Sequence, residues 1–288
     1  MEHCDILIIG AGAAGLAAAE AAWNAGCNNI LLVDRKSSPG GILLQCRHRG
    51  FGSGLDGPEY IEKLTADFPK EIRCLPDTTV VSVLENKQAL LKNPRFGEKA
   101  VSFDQLILAT GCLEIPMGSL PIAGTRPKGI YTAGQMQEMM NLHGFRPEGP
   151  VVILGSGDLG LIMAKQLAEA GCAVTLVEKK TVCGGMARNQ RCLESHPIRL
   201  ICGDTIAEVH GYPGLTGCTT ANGLYLPCKV LLIAAGLRPE RELVFGLGDP
   251  DWLHICGNCN TVHPMVEAVI QEGKQTGISV YQKIRGGL

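Results

Sequence analysis

Short, unbroken apolar runs recur along the chain, and four of them run into a glycine. Ile6-Leu-Ile-Ile9 meets Gly10 and Val151-Val-Ile-Leu154 meets Gly155, while Leu106-Ile-Leu108, after Phe103-Asp-Gln105, leads to Ala-Thr-Gly111 and Val230–Ile233 to Ala-Ala-Gly236. Such runs, lacking the polar alternation of a half-exposed strand, predict strands buried in parallel sheets. After Gly10 and Gly155 the pattern changes to alanine-rich or leucine-rich stretches that predict helices. Each is followed by a further apolar run, Ile30–Val33 and Val174–Val177. Between Glu71 and Ser102 the β-type runs Thr79–Leu84, Ala89–Leu91 and Ala100–Ser102 alternate with turns and predict a small meander. Pro58–Phe68 is amphipathic, residues 112–150 read as a Pro- and Gly-rich connector, and a final helix is expected over about 264–274.

The glycines have a chemical meaning. Gly10, Gly12 and Gly15 follow the first strand, and Asp34 closes the next one, 24 residues after Gly10. Gly155, Gly157 and Gly160 repeat the arrangement, with Glu178 placed 23 residues after Gly155. This is the βαβ dinucleotide fingerprint. Its glycines let the backbone approach a pyrophosphate, the helix N-terminus faces that anion, and the acid is placed for ribose hydroxyls. Two complete copies point to an α/β chain of two nested Rossmann-like domains with a small β-meander. The expected boundaries are 1–116 with 250–288 for a first nucleotide-binding domain and 117–249 for a second one inserted into it. The halves are weak internal repeats of one plan.

Composition narrows the function classes. The 288 residues suffice for two domains. A net charge of −2 offers no basic footprint for nucleic acid. No apolar run reaches the length of a membrane span, and with the first strand so near the start no signal peptide is expected. Thirteen scattered cysteines, odd in number, then predict reduced thiols and a cytoplasmic setting.

At this point the chain resembles the two-dinucleotide-binding-domain flavoproteins, the pyridine nucleotide–disulfide oxidoreductase superfamily. Gly40-Gly-Ile-Leu-Leu-Gln-Cys46-Arg-His48-Arg-Gly50-Phe-Gly52, Gly57-Pro-Glu-Tyr60, Gly155-Ser-Gly-Asp-Leu-Gly160 and Cys256-Gly-Asn258 carry a narrower likeness. These stretches are similar to FAD subunits associated with anaerobic glycerol-3-phosphate dehydrogenase, opine oxidase, hydrogen cyanide synthase and heteromeric proline or hydroxyproline dehydrogenases. The resemblance implies FAD on the first fingerprint and NAD(P)H on the second. It places Thr110 and Gly111 beside the flavin, Val80 near adenine and Gly257-Asn258 at the ribityl chain. Arg35 is a candidate for the adenosine phosphate side, Gly41 for close backbone approach to the flavin, and Gly236 for the second nucleotide. Glu178 favours NAD over NADP, although Lys179 and Lys180 leave NADP open. Asn258 stands where the family has a carboxylate. That exchange, with a helix beginning near Pro264, favours reduced, anionic flavin.

The subclass turns on the cysteines. Disulfide reductases need a pair facing flavin, and Cys46 stands alone after Gly40-Gly41. A relay through Cys46 with His48 is one reading and a structural thiol the other. Cys256-x-x-Cys259 falls on the flavin-contact turn, and without a second such pair no metal or cluster site is expected. His263 is a weak catalytic candidate, and a surface or capping role is its alternative. Asp158, in the first turn of its helix, suits the dipole there and has a second reading as a cap that repels a pyrophosphate, but nucleotide binding at the second fingerprint is expected to be retained. The expected function is an FAD/NAD(P)-dependent oxidoreductase, the electron-transferring or NAD-facing subunit of a heteromeric dehydrogenase acting on a small molecule. Its partner would be a second flavoprotein or iron–sulfur chain. A stand-alone NAD(P)H-dependent flavin reductase and a non-catalytic FAD-binding scaffold are the alternatives.

Overall fold

The computed structural model describes residues 2–286. The chain divides into two compact units, Met1–Leu113 with Arg238–Leu288, and Glu114–Leu237. By this division the second junction lies at 237/238, whereas the sequence places it at 249/250. The segment 238–249 falls in the first unit, where the Glu240 main-chain N–H donates to the Gly111 carbonyl at 3.0 Å and the Glu240 carbonyl accepts from the Thr110 hydroxyl at 2.6 Å. Neither residue type nor periodicity carries that pairing in the sequence.

The first unit is built on a seven-stranded sheet. Arg73–Leu75, Ile30–Val33, Glu2–Ile9 and Gly97–Leu108 lie side by side and parallel. Ile6, Leu7, Ile8, Leu31, Leu106 and Ile107 are all at most 1% exposed, which explains the unbroken apolar runs: both faces of these strands are covered. Gly97–Leu108 is a single strand of 12 residues where the sequence suggested two. Its first half pairs antiparallel with Gln88–Asn93, and its end pairs parallel with Leu253–Ile255. The meander and the C-terminal strand therefore meet on one shared strand.

The helix Ala13–Asn24 packs against a C-terminal helix that runs over Val266–Gly286, well past the expected end near 274. Their contact is backbone to backbone. A Cβ on Gly273 would collide with the Ala14 carbonyl oxygen, and one on Gly277 with that of Ala18. Small residues on both helices let the axes approach this closely, so the alanine-rich first helix needs a glycine-bearing partner.

The second unit repeats the plan. Its five-stranded parallel sheet has the order Ile198–Cys202, Val174–Glu178, Val151–Leu154, Val230–Ile233, Ile130–Thr132. A four-stranded sheet of Ala123–Gly124, Ile206–His210, Gly217–Thr220 and Tyr225–Pro227 accompanies it. The expected connector over 112–150 holds an unanticipated helix, Ala133–His143. The Thr132 hydroxyl accepts from the Gln135 N–H while the Gln135 side chain accepts from the Thr132 N–H, a capping box written as Thr-x-x-Gln. Among the described residues no helix is long and apolar enough to cross a membrane.

Candidate functional site

In the first unit the strand Glu2–Ile9 delivers the chain to Gly10, whose φ of 106° belongs to the region open to glycine. A Cβ on Gly15 would collide with the Gly10 carbonyl, so this glycine sets how closely the helix approaches the strand end. Above Gly12 the situation reverses: a Cβ there would have nothing within 4 Å. Gly12 is also the N-cap residue and offers no side-chain partner to the first-turn N–H groups. The helix thus opens on an empty space with unsatisfied donors and the positive end of its dipole, which is what a pyrophosphate requires.

Two cavities surround this point. The larger, about 280 Å³, has Gly10, Gly12, Gly41, Gly111, Asn258 and His263 among its walls. The smaller, about 140 Å³, is lined by Val80, Thr78, Thr79 and Leu243 among others. They share Gly10, Asp34, Arg35 and Thr110. The two spaces adjoin through these four residues, with Gly12 lining the first and Val80 the second. Gly15 and Gly257 lie beneath the walls instead: Gly257, at φ 71°, packs its Cα against Ala14. Arg35 is more exposed than a phosphate clamp would be and sits 3.6 Å from Glu240.

Asp34 shows a contribution that the sequence could not. Its Oδ2 accepts from the Ala11 N–H at 2.6 Å and its Oδ1 from the Lys36 N–H at 2.7 Å. The carboxylate therefore braces the glycine loop from below, and each oxygen retains a lone pair for a ribose hydroxyl.

The second unit reproduces this brace. Glu178 Oε2 accepts from the Ser156 N–H at 2.8 Å and from its hydroxyl at 2.6 Å, and Oε1 accepts from the Lys180 N–H. Burial pushes the Glu178 carboxyl up, but these hydrogen bonds outweigh it and leave the group below the usual carboxylate range. Gly155, at φ 106°, and Gly160 repeat the strand–helix approach, and the space above Gly157 is open as it is above Gly12. Gly236 ends its strand with φ 124°. Asp158 does not cap its own helix; its Oδ1 accepts from the Met186 N–H at 2.7 Å and from Asn189 Nδ2 at 2.6 Å. The carboxylate ties a Gly184–Gly185 turn to the helix start, a bond that the pattern of residues in the first turn does not reveal.

The thiols of Cys46, Cys256 and Cys259 are buried. Cys46 lines the larger cavity, yet it is 8% exposed and its Sγ donates to the Ile42 carbonyl at 3.3 Å. Burial pushes its thiol up to about 12, with Asp56 adding to the effect. Cys256 and Cys259 are both fully buried, and the Cys259 Sγ lies 3.1 Å from the carbonyls of Leu108 and Cys256. None of the thirteen cysteines is in a disulfide. Because a raised thiol stays protonated through neutral pH, a haloacetamide at pH 8 is expected to leave Cys46 unmodified in the native protein. Cys46→Ala should keep nicotinamide-driven flavin reduction within about twofold. Peptide mapping of the alkylated protein checks the first expectation and stopped-flow absorbance the second.

His263 has a setting that the sequence does not reveal. Its Nε2 lies 2.6 Å from Glu272 Oε2, nine residues along the C-terminal helix, and its N–H donates to Asn258 Oδ1 at 3.0 Å.

Comparison with known proteins agrees with this architecture. The pyridine nucleotide–disulphide oxidoreductase family matches residues 4–250. The chain is 31% identical over 206 residues to a sarcosine oxidase subunit alpha of Rhizobium meliloti, covering 63% of this chain and 20% of that protein. It is 31% identical over 199 residues to hydrogen cyanide synthase subunit HcnB of Pseudomonas protegens, covering 66% and 41% respectively. The chain thus spans well under two thirds of the length of these relatives. Among solved structures, thioredoxin reductase of T. acidophilum superposes with a TM-score of 0.80 at 17% identity, covering 99% of this chain and all of that one.

Proposed function

The chain belongs to the pyridine nucleotide–disulphide oxidoreductase family and is a flavin-binding oxidoreductase; from that premise we propose that it is the electron-transferring subunit of a heteromeric dehydrogenase. In this reading FAD lies in the paired cavities of the first unit and a nicotinamide nucleotide on the second glycine loop. The observation that carries it is the open, donor-rich space over Gly12, bounded by Asp34 at one side and Asn258 at the other. Bound FAD supplies the two-electron chemistry. The chain's own residues hold and orient it: Gly10 and Gly12 admit the pyrophosphate, Asp34 fixes the loop and takes the ribose, and Asn258 takes the ribityl chain. Gly155, Gly157 and Glu178 do the same for the nicotinamide nucleotide, and Glu178 prefers the free 2′-hydroxyl of NAD to the phosphate of NADP.

A heteromeric role is supported by relatives that are themselves named as subunits, and by thiols that stand singly or buried about the cavity. The partner would carry a second flavin or an iron–sulfur cluster, and the primary donor would be a small molecule such as glycerol 3-phosphate or a secondary amine. Anaerobic addition of NADH is expected to bleach the flavin absorbance, with NADPH acting more slowly. Flavin that stays oxidised with both nucleotides contradicts the nicotinamide half of this reading. Asp158 is the residue that speaks for that contrary outcome, a scaffold subunit, because its carboxylate ties residues 186 and 189 to the start of the helix where a pyrophosphate would dock.

A further inference from the structure

Each glycine loop is joined, further along the chain, by a matching glycine pair. Gly40-Gly41 lies six and seven residues after Asp34, and Gly184-Gly185 lies six and seven after Glu178. Gly41 and Gly185 both take left-handed backbone, with φ of 56° and 68°. Both pack on their own glycine loop. A Cβ on Gly41 would come within 3.1 Å of the Gly12 Cα, and one on Gly185 within 3.1 Å of the Asp158 nitrogen. In the first unit Gly41 and Gly12 line one cavity together. By this repeat the Gly184-Gly185 turn stands where a wall of the second site belongs.

That turn is held at three points. Ser156, fully buried, accepts from the Gly184 N–H at 2.7 Å with the same hydroxyl that donates to Glu178. Gln190 Nε2 reaches back to the carbonyls of Gly184 and Gly185 at 3.0 and 3.1 Å. Asp158, at the start of the helix Asp158–Glu169, accepts through Oδ1 from the Met186 N–H and from Asn189 Nδ2. The first tie joins the turn to the acid placed for a ribose. The last joins it to the helix N-terminus placed for a pyrophosphate.

The direction of the Asp158 carboxylate decides between two roles. A carboxylate standing over the glycine loop would repel a pyrophosphate. Here Oδ1 lies on the side of the turn, 3.1 Å from where a Cβ of Gly185 would stand, while a Cβ on Gly157 would have nothing within 4 Å. The anion space stays open, and two N–H donors already share the carboxylate oxygen. Such charge-assisted hydrogen bonds are stronger than neutral ones, which suits a latch.

We propose that residues 184–190 form a latched wall of the second nucleotide site and that Asp158 is its positioning residue. This rests on the reading that a nicotinamide nucleotide occupies that site. Releasing the latch frees the wall from the helix start and weakens nucleotide binding. An amide at position 158 keeps an oxygen acceptor for the same two donors and so keeps the wall in place.

The test is calorimetric titration of the oxidised, FAD-loaded chain with NAD, with tryptic cleavage at the exposed Arg188 and Arg191 as a second readout. Asp158→Ala is expected to raise the dissociation constant about tenfold and to speed cleavage, whereas Asp158→Asn stays within about threefold of the parent. Asn189→Ala, which removes one donor and leaves the helix start untouched, should raise the constant about threefold and add little to Asp158→Ala. Retained FAD shows that each variant is folded. Charge repulsion demands the opposite order, with both Asp158 variants binding NAD more tightly than the parent, and that result overturns the proposal. A loss in Asp158→Asn equal to that in Asp158→Ala overturns it too, as does an unchanged constant in Asp158→Ala. A parent chain that holds FAD but binds neither NAD nor NADP overturns the nicotinamide reading itself and this inference with it.

Discussion

Gly277→Val is expected to cost about 3 kcal/mol of stability, at the upper end of the range for overpacking a core. Gly273 and Gly277 sit four residues apart, on one face of the Val266–Gly286 helix, and both are buried. Each faces a carbonyl of the Ala13–Asn24 helix, Ala14 for one and Ala18 for the other. A branched side chain meets backbone there, not a flexible side chain that can turn aside. The helices must separate or shift along each other, and the first turn of Ala13–Asn24 is the anion-facing end of the cavity. Thermal unfolding of the variant should show a Tm lower by roughly 6–12 °C, at about 2–4 °C per kcal/mol. FAD retention should fall with it. An unchanged Tm would mean that the two helices are less closely coupled than their geometry implies.

Asp34→Ala is the second large effect. The side chain contributes two charge-assisted hydrogen bonds to main-chain N–H groups, and both acceptors disappear at once. Hydrogen bonds to charged groups contribute about 1.5–3 kcal/mol each. Part of this is recovered as water reaches the exposed side of the loop, so a loss of about 3 kcal/mol, or roughly a hundredfold in FAD affinity, is expected. Titration of the apoprotein with FAD, followed by fluorescence quenching, measures it. A dissociation constant within a few-fold of the parent would show that the loop keeps its shape without the brace.

The two fingerprints were legible because each glycine answers a separate steric demand, and because a buried parallel strand has so few polar positions that its ends stand out. Elements that depend on partners distant in sequence were not. The helix Ala133–His143 was hidden by the Pro and Gly around it, although Thr132 and Gln135 spelled out its start. Ile206–His210 carries a register shift against Gly217–Thr220, which breaks the period-two signal that would have revealed the strand. Gly97–Leu108 read as two strands because its first half is exposed and its second half buried.

The site divides in the same way. Gly10, Gly12, Asp34, Gly155 and Glu178 follow from spacing alone. Glu272 lies inside the helix expected over 264–274, but its contact to His263 depends on the non-helical path from His263 to Val266, which no periodicity fixes. The tie from Asp158 to Asn189 spans a turn whose path no local pattern fixes. For Cys46 the sequence leaves relay and structural thiol open, and its burial and its donation to the Ile42 carbonyl favour the structural one.

The most direct measurement is the flavin content of the purified, folded chain, read from its visible spectrum and from FAD released on denaturation. The account predicts a yellow protein with stoichiometric FAD, or an apoprotein that takes up FAD to that level and gains thermal stability as it does. A folded chain that stays colourless, and whose melting temperature ignores saturating FAD, would contradict it.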